Sequence, residues 1–193
     1  MTTADKLPRS PALDARQRRA TTLTFREEMM PEVTHLLNAA ERFCAWAEGE
    51  HHLLSNARQH LLDLMASIPP LQHVRHAGSE SDFPRRGHEG WNHDIRRFAD
   101  LPFQFYRVVF DPHDLEAIDE PVMGDLHDDL ADIYGDLWHG LQAYRGGDPD
   151  EAVSLWVDSY FSHWGRHASS ALAAIDTYYC ADPTNANRAL GSD

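Results

Sequence analysis

Two histidines one helical turn apart, His163 and His167 in FSHWGRHASSAL, have the spacing that lets two imidazoles grip one metal ion from a single helix. Upstream, LHDDLADIYGDLWHGLQAYR carries Asp128, Asp129, Asp132 and Asp136, and Asp125 precedes it. At about 100° per residue, Asp125, Asp129, Asp132 and Asp136 share one side of a helix, bordering its apolar face. The first-turn acids are explained by the helix dipole. Asp132 and Asp136 are not, because aspartate is a mediocre mid-helix residue and acids stacked four apart repel.

Two imidazoles and a carboxylate that leave coordination positions open suit Fe(II), Mn(II) or Zn(II). The sequence therefore offers a metal set of His163, His167 and Asp129, with Asp132 or Asp136 in support, and a bound water as the nucleophile of a metal-dependent hydrolase or transferase. The competing expectation is a set of Asp–His hydrogen bonds that stiffens two neighbouring helices without metal. No third ligand is fixed by spacing.

The elements that must carry these residues are legible. Asp125 caps one helix with Asp128 three residues on, and Leu126, Leu130, Ile133, Leu137, Leu141 and Tyr144 give it an apolar stripe. Gly146-Gly147 stops it. Asp148, Pro149 and Glu151 then start a last helix, expected to run uninterrupted to about Tyr178. So short a turn makes an antiparallel hairpin, in which Asp129 falls level with position 165. Two more helices are expected, from Pro31 to Gly49 and from about His52 to Ser67, before Pro69-Pro70.

Residues 69–100 read as a long irregular connection. They form a basic island holding Arg75, Arg85, Arg86, Arg96 and Arg97 with His73, His76, His88, His93 and Trp91. FQFYRVVF (103–110) has strand composition, but no partner strand is evident, so a short helix or an extended buried strap is expected. The expected organisation is a flexible lead-in over 1–24, one helical domain over 25–180 and a flexible tail over 181–193. The fold class is all-α: an up-down bundle of four to five helices.

Composition bounds the function. The formal net charge of −14, from 31 acids against 17 bases, argues against nucleic acid and anionic membranes as partners. It is compatible with a basic protein partner met by the acidic helix face. Cys44 and Cys180 fall in no metal-binding spacing and suggest a reducing compartment. With no leader-like or spanning apolar run, a cytoplasmic protein is expected. A homodimer is compatible with the sequence. No Gly-rich phosphate loop, G-x-S-x-G elbow or C-x-x-C occurs, and Glu-x-x-His is not repeated on two helices, its nearest echo being Asp136-Leu-Trp-His139. Trp46, Trp91, Trp138, Trp156 and Trp164 suit a core. The leading functional expectation is a small cytosolic accessory or interaction protein using exposed Asp132 and Asp136; the metal-dependent enzyme is the alternative.

The blocks Asp128-Asp129-Leu130-Ala131-Asp132-Ile133-Tyr134, Asp136-Leu137 and His163-Trp164-Gly165-x-His167, with Tyr106–Pro112 upstream, resemble a bacterial domain-of-unknown-function family of helical proteins. The resemblance covers roughly residues 103–176 and implies an all-α fold with the acidic helix and the H-W-G-x-H segment as one unit. A weaker similarity runs to metal-binding four-helix bundles of the DinB type, which add a third histidine from elsewhere; that resemblance makes His35, His60 and His139 candidates for it, and the comparison is an analogy.

Overall fold

The computed structural model describes residues 30–74, 82–109, 111–116, 120–182 and 184. The expected lead-in over 1–24 and nearly all of the tail over 181–193 lie outside the described residues, as do His76 and Arg75. The compact unit is Glu32–Asp193; of the preceding unit, Met1–Pro31, only Met30 and Pro31 are described.

The helices are α1 (Met30–Ala47), α2 (Leu54–Ser67), α3 (His88–Arg97), α4 (Leu126–Arg145), α5 (Pro149–Ser159) and α6 (Gly165–Ala181). A turn of π-helix, Tyr160–Trp164, joins α5 to α6, so these two make one interrupted rod. The all-α bundle expected from the sequence is the fold observed. α4 is its central helix, packing against α3, α5 and α6, while α6 also packs on α2. Leu126, Leu130, Ile133 and Leu137 of α4 are wholly buried, as are Trp156, Trp164, Ala168 and Ile175 of the rod. Burying each large apolar side chain contributes about 1.5–3 kcal/mol before chain entropy is counted.

The hairpin of α4 and the rod is set by its caps. Asp125 accepts from the backbone N–H of His127 and Asp128, and Asp148 accepts from that of Glu151, each cap contributing about 1 kcal/mol. Gly147 turns the chain with φ of 89°, which favours glycine.

Three expectations are corrected. The last helix is broken by the π-turn, since the indoles of Trp156 and Trp164 donate to Leu137 O and Trp156 O (2.9 and 3.0 Å) and hold the rod in that register. The basic island contains helix α3, because its charges pair within the segment. Arg86 grips the buried Asp94 with Nε and Nη2 (2.9 and 2.7 Å), and Arg97 Nε reaches the same carboxylate at 3.3 Å. The guanidinium of Arg86 also lies over Tyr134 and Trp138 of α4, 5.4 and 5.5 Å from the ring centroids.

Finally, FQFYRVVF finds a partner. Strand β1 (Phe105–Val108) pairs antiparallel with β2 (Val122–Asp125), Tyr106 opposite Gly124. The second strand, Val-Met-Gly-Asp, is short and half made of poor strand formers, so composition does not announce it. Its last residue is also the cap of α4, and Leu126 N–H extends the ladder to Gln104 O at 2.8 Å.

Candidate metal centre

The hairpin brings all five sequence-predicted residues together. α4 presents Asp129, Asp132 and Asp136 one turn apart, and the rod presents His163 from the π-turn and His167 from α6. The imidazole rings stand 4.8 Å apart at 71° to one another. His167 Nδ1 lies 2.7 Å from Asp129 Oδ1, and His163 Nδ1 lies 2.8 Å from Asp136 Oδ2. The Nε2 atoms of His167 and His163 both face Asp132 Oδ2, at 3.5 and 3.7 Å. Asp132, His163 and His167 each offer one ligand atom, and these lie within 4.8 Å of one another.

This geometry sorts the three carboxylates. Asp129 has both oxygens engaged: Oδ1 by His167 and Oδ2 by the phenol of Tyr106, which donates to it at 2.5 Å. Asp136 orients His163. Asp132 is held through its other oxygen, to which Trp91 Nε1 of α3 donates at 2.9 Å, leaving Oδ2 towards the imidazoles. The carboxylate that faces both imidazoles is thus Asp132, whereas the sequence reading sets Asp129 beside them with Asp132 or Asp136 in support.

When Nδ1–H is donated to a carboxylate, the neutral ring carries its lone pair on Nε2. Two such lone pairs and a carboxylate oxygen then converge on one space, which is repulsive unless a cation fills it or a ring is protonated. The electrostatics point the same way. The hydrogen bond that the ring donates to Asp129 raises the pKa of His167 above the ordinary imidazole value, against its burial. Burial raises that of Asp136, and burial with the charge of Asp132 pushes Asp128 up to about 6. Burial and the bond to Asp129 raise the Tyr106 phenol, keeping it a donor.

Exposure separates the two functional expectations. An acidic docking face needs Asp132 and Asp136 in solvent, yet their side chains are 21% and 26% exposed and aimed at histidines. His167 is 25% exposed and His163 46%, so the set sits at the rim of the seam with its His163 side open to solvent. The histidines proposed as third ligands go elsewhere. His60 packs against Phe43 and Trp46, His35 is exposed on α1, and His139 lies further along a cleft that opens beside His163.

The sequence reading gives Tyr106 no part in this site and places Trp91, Arg85 and Arg86 in the basic island rather than beside the histidines. Gly124 was the available signal for Tyr106: a Cβ there would stand 2.5 Å from the phenol ring, so this strand position must be glycine for Tyr106 to cross it and reach Asp129.

Residues 27–180 match the family model described as a domain of unknown function, DUF5063. The chain belongs to that family. Its fold is similar to the crystal structure of protein BF1032 from Bacteroides fragilis, with TM-score 0.61 and 18% identity over 75% of this chain and 90% of that one. At that identity the likeness concerns the fold alone. No curated protein matches. Among the described residues no helix is long and apolar enough to cross a membrane.

Proposed function

We propose that this member of the family binds a divalent transition metal through Asp132 Oδ2, His163 Nε2 and His167 Nε2, and that it is a metal-dependent hydrolase or transferase. One observation carries the reading: both imidazoles have Nδ1 on a carboxylate of their own while both Nε2 atoms face the same oxygen of a third. Carboxylates behind metal-ligating histidines fix the tautomer and raise ligand basicity, which is what Asp129 and Asp136 do for His167 and His163. Tyr106 of β1 holds the flanking Asp129, and Trp91 of α3 holds Asp132 itself. Two histidines and one carboxylate leave sites for water and substrate, and a Zn(II), Mn(II) or Fe(II) ion there would supply Lewis acidity and an activated water.

The test is metal analysis of the tag-free protein after loading with Zn(II), Mn(II) or anaerobic Fe(II). Near-stoichiometric metal is expected, lost in His167→Ala and in Asp132→Asn while the helical circular dichroism persists. Asp136→Asn should retain metal with affinity lowered about 10–100-fold, the usual effect of removing the group behind a ligand. Stoichiometric metal in His167→Ala, or none in the native chain after loading, overturns the assignment and leaves the Asp–His pairs as a structural staple.

A further inference from the structure

Beside the imidazoles opens a cleft of about 200 Å³, between α4 and the segment that leads into α3. α4 gives it Ala131, Asp132, Gly135 and Asp136, the opposite segment gives Arg85 and Arg86, and α3 gives Trp91. A Cβ at Gly135 would meet nothing within 4 Å, so the helix surface there is bare floor rather than packed contact. Ligand clefts pair such space with a few convergent polar groups.

Charge decides what such a space accepts. The lining contains two arginines and three aspartates, Asp94 among them, a deficit of one positive charge when His139 and His163 are neutral. A divalent cation on Asp132 and the two histidines turns that deficit into a surplus of one. Arg86 is already gripped at both ends by Asp94. Arg85 is exposed and, among the described residues, pairs with no carboxylate. At the far end His139 is held below the ordinary imidazole pKa by burial and by Arg85, so it adds a neutral polar ring rather than a competing charge. A planar guanidinium facing a metal across a small cleft is the arrangement that clamps an oxyanion.

We propose that the metal-loaded cleft binds a small oxyanion-bearing substrate, a phosphate monoester or a short carboxylate, with one oxygen towards Asp132, His163 and His167 and its charge against Arg85. This rests on the metal reading above and adds to it a substrate class and a recognition residue.

The experiment loads the full chain with Mn(II), removes free metal by gel filtration and measures retained metal. It then follows paramagnetic broadening of the ³¹P signal of inorganic phosphate and the ¹³C signal of acetate, with glycerol as the neutral control. Broadening of one anion but not of glycerol is expected, and the anion that responds names the class. In Arg85→Gln, an exposed substitution, retained Mn(II) should be unchanged while anion affinity falls about tenfold or more, the worth of one charge-assisted hydrogen bond. Equal anion affinity in Arg85→Gln, or a native protein that holds Mn(II) and broadens neither anion, overturns the inference and leaves the metal assignment standing. A native chain that retains none of Zn(II), Mn(II) or Fe(II) and binds no phosphate by calorimetry sinks both. Arg85-dependent phosphate binding in a chain without metal would keep the cleft as an oxyanion site and remove the metal assignment alone.

Discussion

At the scale of single residues, the centre is a chain of hydrogen bonds that ends on β1. Tyr106 donates to Asp129, and Asp129 accepts from His167, so the phenol fixes a carboxylate whose other oxygen meets an imidazole. Removing the hydroxyl leaves Asp129 Oδ2 without a donor and lets the carboxylate turn. Tyr106→Phe should therefore lower Zn(II) affinity about tenfold in a chelator-competition titration, at the low end of what outer-shell partners contribute. It should cost only about 1 kcal/mol of stability, the net worth of one hydrogen bond. Unchanged affinity would mean that Asp129 is held by His167 and α4 alone. The spacing of His163 and His167 and the off-pattern Asp132 and Asp136 were readable in the sequence. Which acid faces both rings was not, because that depends on whether a carboxylate already has donors on both oxygens, and those donors come from Tyr106 and Trp91 on other elements.

At the scale of elements, the π-turn is the device that aims His163. Helical periodicity predicts an unbroken rod through this stretch, and it misses the extra residue because the apolar pattern on both sides stays helical. Gly165, between the two histidines, lies where the chain closes on itself: a Cβ there would stand 2.5 Å from the backbone oxygen of Tyr160. A backbone atom cannot swing aside as a side chain does. Gly165→Ala should thus shift the turn, destabilising the protein by about 1–3 kcal/mol in denaturant unfolding, and part His163 from His167 so that metal retention drops as well. Full retention with native stability would show that the turn tolerates the shift. The β-hairpin was half legible for a related reason: β1 has strand composition, but β2 earns its pairing only from the register that sets Gly124 under Tyr106.

At the scale of the whole molecule, acid should act on the metal-free protein in two opposed senses. Burial lowers the pKa of His60, His127 and His139 below the unfolded value near 6.5. A base with a depressed folded pKa binds more protons unfolded than folded, so its stabilising contribution is present above 6.5 and is lost as pH falls through the folded pKa. His167 works in the opposite sense: its pKa is raised by Asp129, and its contribution is present at low pH and lost as pH rises through its folded value. Asp128, pushed up to about 6, and Asp136, also raised, act in the same sense as His167. Three groups therefore oppose three, and the thermal midpoint should stay nearly level from pH 7.5 to pH 5.5; a clear fall would show the lowered imidazoles dominating. A clear rise over that interval would show His167 and the two carboxyls outweighing the three buried rings.

By itself the sequence determined the helical class, the Asp125 and Asp148 caps, the hairpin at Gly147 and the five residues that meet across it. These follow from local signals, namely periodicity, capping chemistry and residue spacing along one helix, which need no knowledge of distant chain. Tertiary structure alone decided that α3 exists within the basic island, that β1 has a partner, that Asp132 rather than Asp129 faces both imidazoles, and that a cleft opens beside them. Each of those depends on groups brought from far along the chain. The seating of Arg86 over Tyr134 and Trp138, the crossing of Tyr106 over Gly124 and the bond from Trp91 to Asp132 are long-range contacts, and no local pattern encodes them.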